Sequence, residues 1–340
     1  MKELFTRSAL SIFPQSLMNK LAGQFVPVFM LHRLLNNKNE PDLKIVKSIH
    51  QYLEYIRKNK YQPITLDLLY SYLESGEKLP EKAVVFTVDD GFSGQFEYMA
   101  PIFSKFDIPL TCFIITDFID GNLWPWDDQV KYIFGQTSKT LIEVVMPNGA
   151  EVQIIIDPLF IKGARRKLVN QLKLMDQTNI YQWLQNLYNA AEIDIPKTVP
   201  ERFKGGSWQQ IEEFVASGHF VAPHSKTHRI ISQLSDNEAF EEIQGSFYYL
   251  KSKIPSAVDI LAYPSGNRCD FGSRDEQIVK ASSLRGAVSA IGKTVTPCSS
   301  LTRLPRFTLP NNMCDFLQYL TYIEVVKNKF RNKYFFKKLK

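Results

Sequence analysis

Two groups of ionisable side chains stand at spacings that could do chemistry together. The apolar run Val84-Val85-Phe86-Thr87-Val88 leads straight into Asp89-Asp90-Gly91. Adjacent residues leaving a strand point to different sides, so the two carboxylates can take different roles. Gly91 allows the backbone to turn at once. The second group is Ala222-Pro223-His224-Ser225-Lys226-Thr227-His228, directly behind another apolar run. The chain has five histidines, and two of them lie here four residues apart. That spacing predicts one face of a helix opening at the strand end. Each group has a plainer reading, as a capped solvated turn and as histidines packed at a helix start. Together, Asp90, His224 and His228 make a mixed oxygen and nitrogen ligand set for a divalent ion. Zinc comes first, with cobalt, nickel and manganese as alternatives. An ion so held polarises a carbonyl and acidifies a bound water. Asp89, beside it, is then placed to act as general base in opening an amide.

Such groups need strand ends gathered on one side of a sheet. Apolar runs at 25–31, 83–88, 110–115, 219–222, 259–263 and 285–291 read as strands. Amphipathic stretches at 43–60, 94–106, 209–217 and 237–253 read as helices between them, the pattern of a parallel α/β fold. The rhythm breaks over 121–200. A hairpin is expected there, 141–146 with 151–156 about the Asn148-Gly149 turn signal, followed by one long helix over 160–191. This reads as an insertion that shapes a wall of the substrate cleft. A third motif, Leu261-Ala262-Tyr263-Pro264-Ser265-Gly266, ends a strand in a tight turn able to turn backbone N–H groups into a cleft, as an oxyanion hole requires.

The composition is that of an ordinary globular protein, 44% hydrophobic and 22% charged. The net charge of +6 is local: the last fourteen residues hold seven Lys or Arg and no acid. A body this near neutral argues against nucleic-acid binding. The tail interleaves Phe330, Tyr334, Phe335 and Phe336 with its cations, which suits either a frayed end or peripheral contact with an anionic membrane. The four cysteines form no close pair, so reduced thiols are expected. With no secretory signal and no apolar run of membrane-spanning length, the expected setting is cytoplasmic, with membrane association through the tail.

The three motifs, in this order, resemble the polysaccharide deacetylases of carbohydrate esterase family 4, the NodB-type homology domain. Thr87-Val88-Asp89-Asp90-Gly91 is similar to the first family motif, and His224-Ser225-Lys226-Thr227-His228 to the second. The resemblance implies a distorted (β/α) barrel of about seven parallel strands. It makes Asp89 the general base and gives the metal to Asp90, His224 and His228. Its reach is about 24–307, inside a barrel read as 24–310 between an N-terminal helical lead (1–23) and a C-terminal helix and basic tail (311–340). Two departures stand out. The family often places an Arg two positions before the Pro of the third motif, where this chain has Ala262; the Ala-Tyr-Pro form is similar to deacetylases of bacterial exopolysaccharides and lipid-linked sugars, with the Ser265 N–H on the oxyanion. The family's C-terminal acid, a His, has no counterpart after His228. Pro27 to His32 is similar to the strand-then-His opening of the permuted poly-N-acetylglucosamine deacetylases, which makes His32 the acid. Tyr263, Pro264 and Trp208 are the expected substrate contacts, with Ser207 capping the helix that Trp208 opens.

The activity these readings imply is metal-dependent removal of an N-acetyl group from an amino sugar, in a polysaccharide or on a lipid carrier. The alternatives are a deformylase or other amide hydrolase acting on a lipid-linked sugar, and a carbohydrate-binding barrel that has lost activity.

Overall fold

The structure is a computed structural model and describes residues 21–36 and 39–337. The expected lead over 1–23 and the very end of the tail therefore lie almost wholly outside the described residues. Each of the six expected strands is present, some shortened: β1 (Val28–Leu31), β3 (Ala83–Asp90), β4 (Thr111–Ile114), β7 (Phe220–Pro223), β8 (Ile260–Ala262) and β9 (Gly286–Val288). Two more are very short, β2 (Gln62–Pro63) and β10 (Phe307–Thr308), and the hairpin supplies β5 (Leu141–Val145) and β6 (Glu151–Ile155).

Strands β10, β1, β3, β4 and β7 pair side by side, all parallel, while β8 and β9 form a separate parallel pair. Single bonds carry the ring onward. Val258 N–H donates to Val221 O at 2.8 Å between β7 and β8. Val288 bridges Leu304 in parallel, three residues before β10 returns to β1. The result is a distorted (β/α) barrel, closed by isolated bonds on one flank. Parallel strands covered on both faces need apolar residues at every position, and β3 is buried along nearly its whole length. Val84, Phe86 and Val88 face the outer helical layer, whereas Ala83 and Val85 pack inside with Phe113, Ala222, Ala262 and Val288.

The chain from 121 to 200 builds its own hydrophobic cluster from the hairpin and the helices Trp126–Gln136, Ile161–Leu172 and Ile180–Ala190. The Asn148-Gly149 turn forms as expected, with Gly149 at φ 83°. The single long helix expected over 160–191 is instead two. Between them the buried Gln177 donates Nε2–H to Leu172 O at 2.8 Å, capping the first helix. Its own N–H goes to Gln233 O at 3.2 Å, outside the segment. Those two bonds take the backbone away from the helical path.

Candidate active site

Parallel register delivers the chemistry to one end of the barrel. Asp89 pairs across with Phe113 and Asp90 with Ile114, and Ile114 in turn with Pro223. His224 thus follows β7 level with the end of β3, and His32 follows β1 on the other side of β3. Strand alternation that puts Val85 and Thr87 inside the barrel puts Asp89 there too.

Asp90, His224 and His228 each offer a ligand atom, and these atoms all lie within 4.8 Å of one another. The Nε2 atoms of His224 and His228 stand 3.5 and 3.6 Å from Asp90 Oδ1. Their other nitrogens each face an oxygen of an outer residue. His224 Nδ1 lies 2.8 Å from Ala262 O, which can only accept, so Nδ1 carries the proton and Nε2 keeps its lone pair. His228 Nδ1 faces Asp127 Oδ1 at 3.5 Å; both atoms are buried and neither has a hydrogen-bond partner. One carboxylate and two imidazoles with outer partners fit a zinc-type divalent ion, leaving positions open for water and substrate. Burial acts to raise the Asp90 carboxyl, but its bond to His224 and the charges of His228, His224 and His32 hold it well below the usual carboxylate range.

The histidine segment is not the helix expected from its spacing. Ser225 and His228 take positive φ of 64° and 59°. Ser225 Oγ accepts the His228 N–H at 3.0 Å, and the Lys226 and Thr227 N–H groups both donate to Glu242 Oε2 at 2.9 Å. A four-residue spacing converges two imidazoles equally well when a tight loop folds back on itself. Glu242 is 1% exposed and also pairs with Arg229 at 3.0 Å. It sits in a π-helical turn, Glu241–Gly245, an irregularity often found at functional sites.

Sequence reasoning missed Arg306. Its Nη1 and Nη2 each donate to one oxygen of Asp89 at 2.7 Å. Its Nε binds Ser289 O at 3.0 Å and Nη1 also reaches Thr87 Oγ1 at 3.1 Å. Both partners are buried, 1% exposed for Arg306 and 3% for Asp89. Burial alone would raise the Asp89 carboxyl; Arg306 foremost, then His224, reverse this and lower it. An arginine is absent at Ala262, and Arg306, just before β10, takes the place beside Asp89. Its signal was the run Leu304-Pro305-Arg306-Phe307, where alternation turns Leu304 and Arg306 inward and Phe307 outward.

Gln95 ties the two strand ends together. Its Nε2 donates to Asp89 O at 2.6 Å and His32 O at 3.0 Å, and its Oε1 accepts the N–H groups of Gly91 and Phe92. The His32 ring is exposed at the mouth, its Nδ1 on Leu31 O at 2.7 Å, and its charge acts on Asp89 and Asp90 alike. At the third motif Ser265 is at φ 58° and no described residue accepts its N–H. Gly266 is required there, since a Cβ would stand 2.8 Å from Ala290 N. Tyr263, expected to touch substrate, is buried: it is stacked on Phe271 at 4.1 Å and its hydroxyl donates to Thr302 O, all within the core. Pro264 is buried beside it. Trp208 packs on the outer helical core, donates to Asp120 at 2.8 Å and meets Tyr249 edge-on. Ser207 forms the expected cap, in a capping box with Gln210.

Comparison with known proteins gives the family and the fold. Over 85 residues the chain is 32% identical to the poly-beta-1,6-N-acetyl-D-glucosamine N-deacetylase of Escherichia coli K12, a match covering 25% of this chain and 12% of that protein. In fold it is similar to the Streptococcus pyogenes deacetylase PplD in complex with acetate, with TM-score 0.55 and 17% identity over 87% of this chain and 98% of that one. IcaB from Ammonifex degensii is equally similar, with TM-score 0.55 and 17% identity over 88% and 97%. The sequence profile of the polysaccharide deacetylases matches residues 76–154 and 170–306, well over half of the chain and all three motifs, and the protein belongs to that family.

Proposed function

We propose that the protein removes an N-acetyl group from an amino sugar of a cell-surface glycan, in a polysaccharide or on a lipid carrier. The observation that carries this reading is the Asp89–Arg306 pair standing beside the convergent trio of Asp90, His224 and His228. A barrel that had lost activity would have no use for a buried carboxylate held ionised next to three metal-ligand atoms. The matched relative is named for poly-N-acetylglucosamine deacetylation, which supports the same class of substrate here.

Zinc is the ion we assign to the trio. When bound, a divalent ion polarises the acyl carbonyl and lowers the pKa of the attacking water. Asp89, aligned by Arg306, takes the water's proton as it attacks. The Ser265 N–H donates to the oxygen of the tetrahedral intermediate, and the turn fixed by Gly266 aims it. His32 at the open mouth gives its proton to the departing amine. The basic segment beginning at Lys327 and a cytoplasmic setting complete the reading; among the described residues no helix is long and apolar enough to cross a membrane.

The test is acetate release from N-acetylated amino-sugar oligomers by the metal-loaded protein, with formate release from N-formyl analogues run beside it. Asp89→Asn should abolish turnover and leave metal content unchanged. His32→Ala should lower kcat by about 10²- to 10⁴-fold, again with metal retained. Near-normal turnover in Asp89→Asn would remove the assigned base, and formate release alone would change the acyl group.

A further inference from the structure

Beside the metal trio, three cations gather on a shared aromatic platform, and a fourth lies on the helix behind them. Arg33 follows His32 at the end of β1 and lies with its guanidinium 3.7 Å above the Phe92 ring and 5.2 Å from that of Phe203. Lys131, from the helix Trp126–Gln136, stands 5.7 Å over the same Phe203 ring, and Arg202 lies 4.7 Å from it. Arg165 lies on the helix Ile161–Leu172, which packs in one cluster with the helix Trp126–Gln136 that carries Lys131, and its charge acts on both Lys131 and Arg202. All four are part-buried and none is fully exposed.

The carboxylates here are too few for these cations. Asp128 is bonded to Arg33. Asp127 acts on Arg33, Lys131 and Arg165, but its nearest partner is His228 at 3.5 Å. Among the described residues no carboxylate lies within 4 Å of Lys131, Arg165 or Arg202. Burial first, then Arg33, Arg202 and Arg165, push the Lys131 ammonium down to about 7. Part-buried, mutually repelling cations beside a cleft are stabilised by an anion that joins them. Arg33 directly follows His32 behind β1, the strand paired with β3, so the cluster borders the candidate site.

We propose that Arg33, Lys131, Arg165 and Arg202 form a subsite for a phosphate or diphosphate carried by the amino sugar whose acyl group is removed. The inference rests on the deacetylase reading and narrows its substrate class. These basic groups outnumber the carboxylates beside them and leave a net positive cluster, which a phosphate monoester of about −1.5 to −2 neutralises while favouring the charged form of Lys131 that burial disfavours. Three of the four come from the insertion or its exit. The insertion is thus what separates a charged substrate from a neutral polymer. Phosphate on a lipid carrier and phosphate on a free sugar share this chemistry.

The experiment measures acetate release by the metal-loaded full chain from three probes: N-acetylglucosamine 1-phosphate, prenyl-diphosphate-linked N-acetylglucosamine, and a neutral N-acetylglucosamine oligomer. Calorimetric binding of glucosamine 1-phosphate gives a readout that needs no turnover. Lys131→Gln and Arg202→Gln should each raise KM for the phosphorylated probes about tenfold or more. Their kcat should fall by less, and the KM ratio of charged to neutral probe should collapse. Preference for the prenyl probe assigns the phosphate to a lipid carrier, and preference for the free sugar phosphate to a soluble substrate; either supports the subsite. Equal KM changes for charged and neutral probes, or glucosamine 1-phosphate binding insensitive to both variants, overturns it. Binding that depends on Lys131 and Arg202 with no acetate released from any probe sinks the deacetylase reading and leaves the subsite standing.

Discussion

Arg306 holds both oxygens of Asp89 in a buried two-pronged grip, each contact 2.7 Å long. The guanidinium is itself fixed by Ser289 O and Thr87 Oγ1, so it presents one orientation to the carboxylate. A bidentate fork both aligns the carboxylate and keeps it ionised.

Replacing Arg306 therefore acts through Asp89. Arg306→Lys keeps the charge but not the fork; kcat should fall about 10- to 100-fold through misplacement of Asp89, with metal content unchanged. In Arg306→Ala the buried Asp89 loses its partner, which costs about 3–5 kcal/mol. Without that partner burial dominates and the Asp89 carboxyl rises, so the acidic limb of the kcat profile should move to higher pH. A merely structural Arg306 would leave that limb in place.

Asp127 should set how tightly the ion is held. Its carboxylate backs His228 from the far side of the ring, at 3.5 Å. Asp127→Asn removes the charge without changing shape, and metal affinity should fall about 10- to 100-fold in a chelator competition. Equal affinity in variant and parent would show that the insertion takes no part in the metal centre.

Legibility followed locality. Asp89, Asp90, His224 and His228 could be read because each pair sits in a short motif at a strand end, and strand alternation carries such groups to one mouth. The loop at 224–228 could not be told from a helix, because spacing alone does not reveal where N–H groups go; they go to Glu242, an acid that reads in sequence as a solvated helix residue. Arg306 is 217 positions from Asp89 and belongs to no motif. Only its inward place in an otherwise apolar strand marks it, and that place is certain only once the barrel closes. Tyr263 misled for the opposite reason: it sits in the right motif, but its ring follows the strand into the core.

Glu242 should be worth more to stability than its position in an outer helix suggests. Removing the carboxylate leaves two loop N–H groups without acceptors and one face of Arg229 without its partner, although Glu238 still pairs with Arg229 at 2.9 Å. Glu242→Ala should cost about 3–5 kcal/mol, the range for breaking a buried ion pair. Metal affinity should fall with it, since the loop that aims His228 is released. Thermal unfolding with and without added zinc checks both; an unchanged midpoint would mean the loop holds itself.

A pH effect on stability follows from His219, away from the reacting groups. Leu110 N–H donates to its Nδ1 at 3.3 Å, so the ring proton sits on Nε2, 2.8 Å from Ser104 Oγ. The ring is also stacked on Phe214 at 4.6 Å. Burial lowers its pKa below the ordinary value of 6.5, only partly offset by a bond to the Ala100 backbone. Protonating Nδ1 would break the Leu110 bond. Below about pH 6.5 the unfolded chain therefore binds a proton that the folded chain refuses, and the stability of the folded state falls as pH falls. It stops falling on this account only below the folded pKa. His219→Gln can keep both bonds but cannot titrate. Unfolding midpoints measured from pH 7.5 to 5 should fall less steeply for the variant than for the parent, and that difference isolates His219 from the other histidines. Parallel curves would mean that His219 takes up its proton in the folded protein as readily as in the unfolded chain.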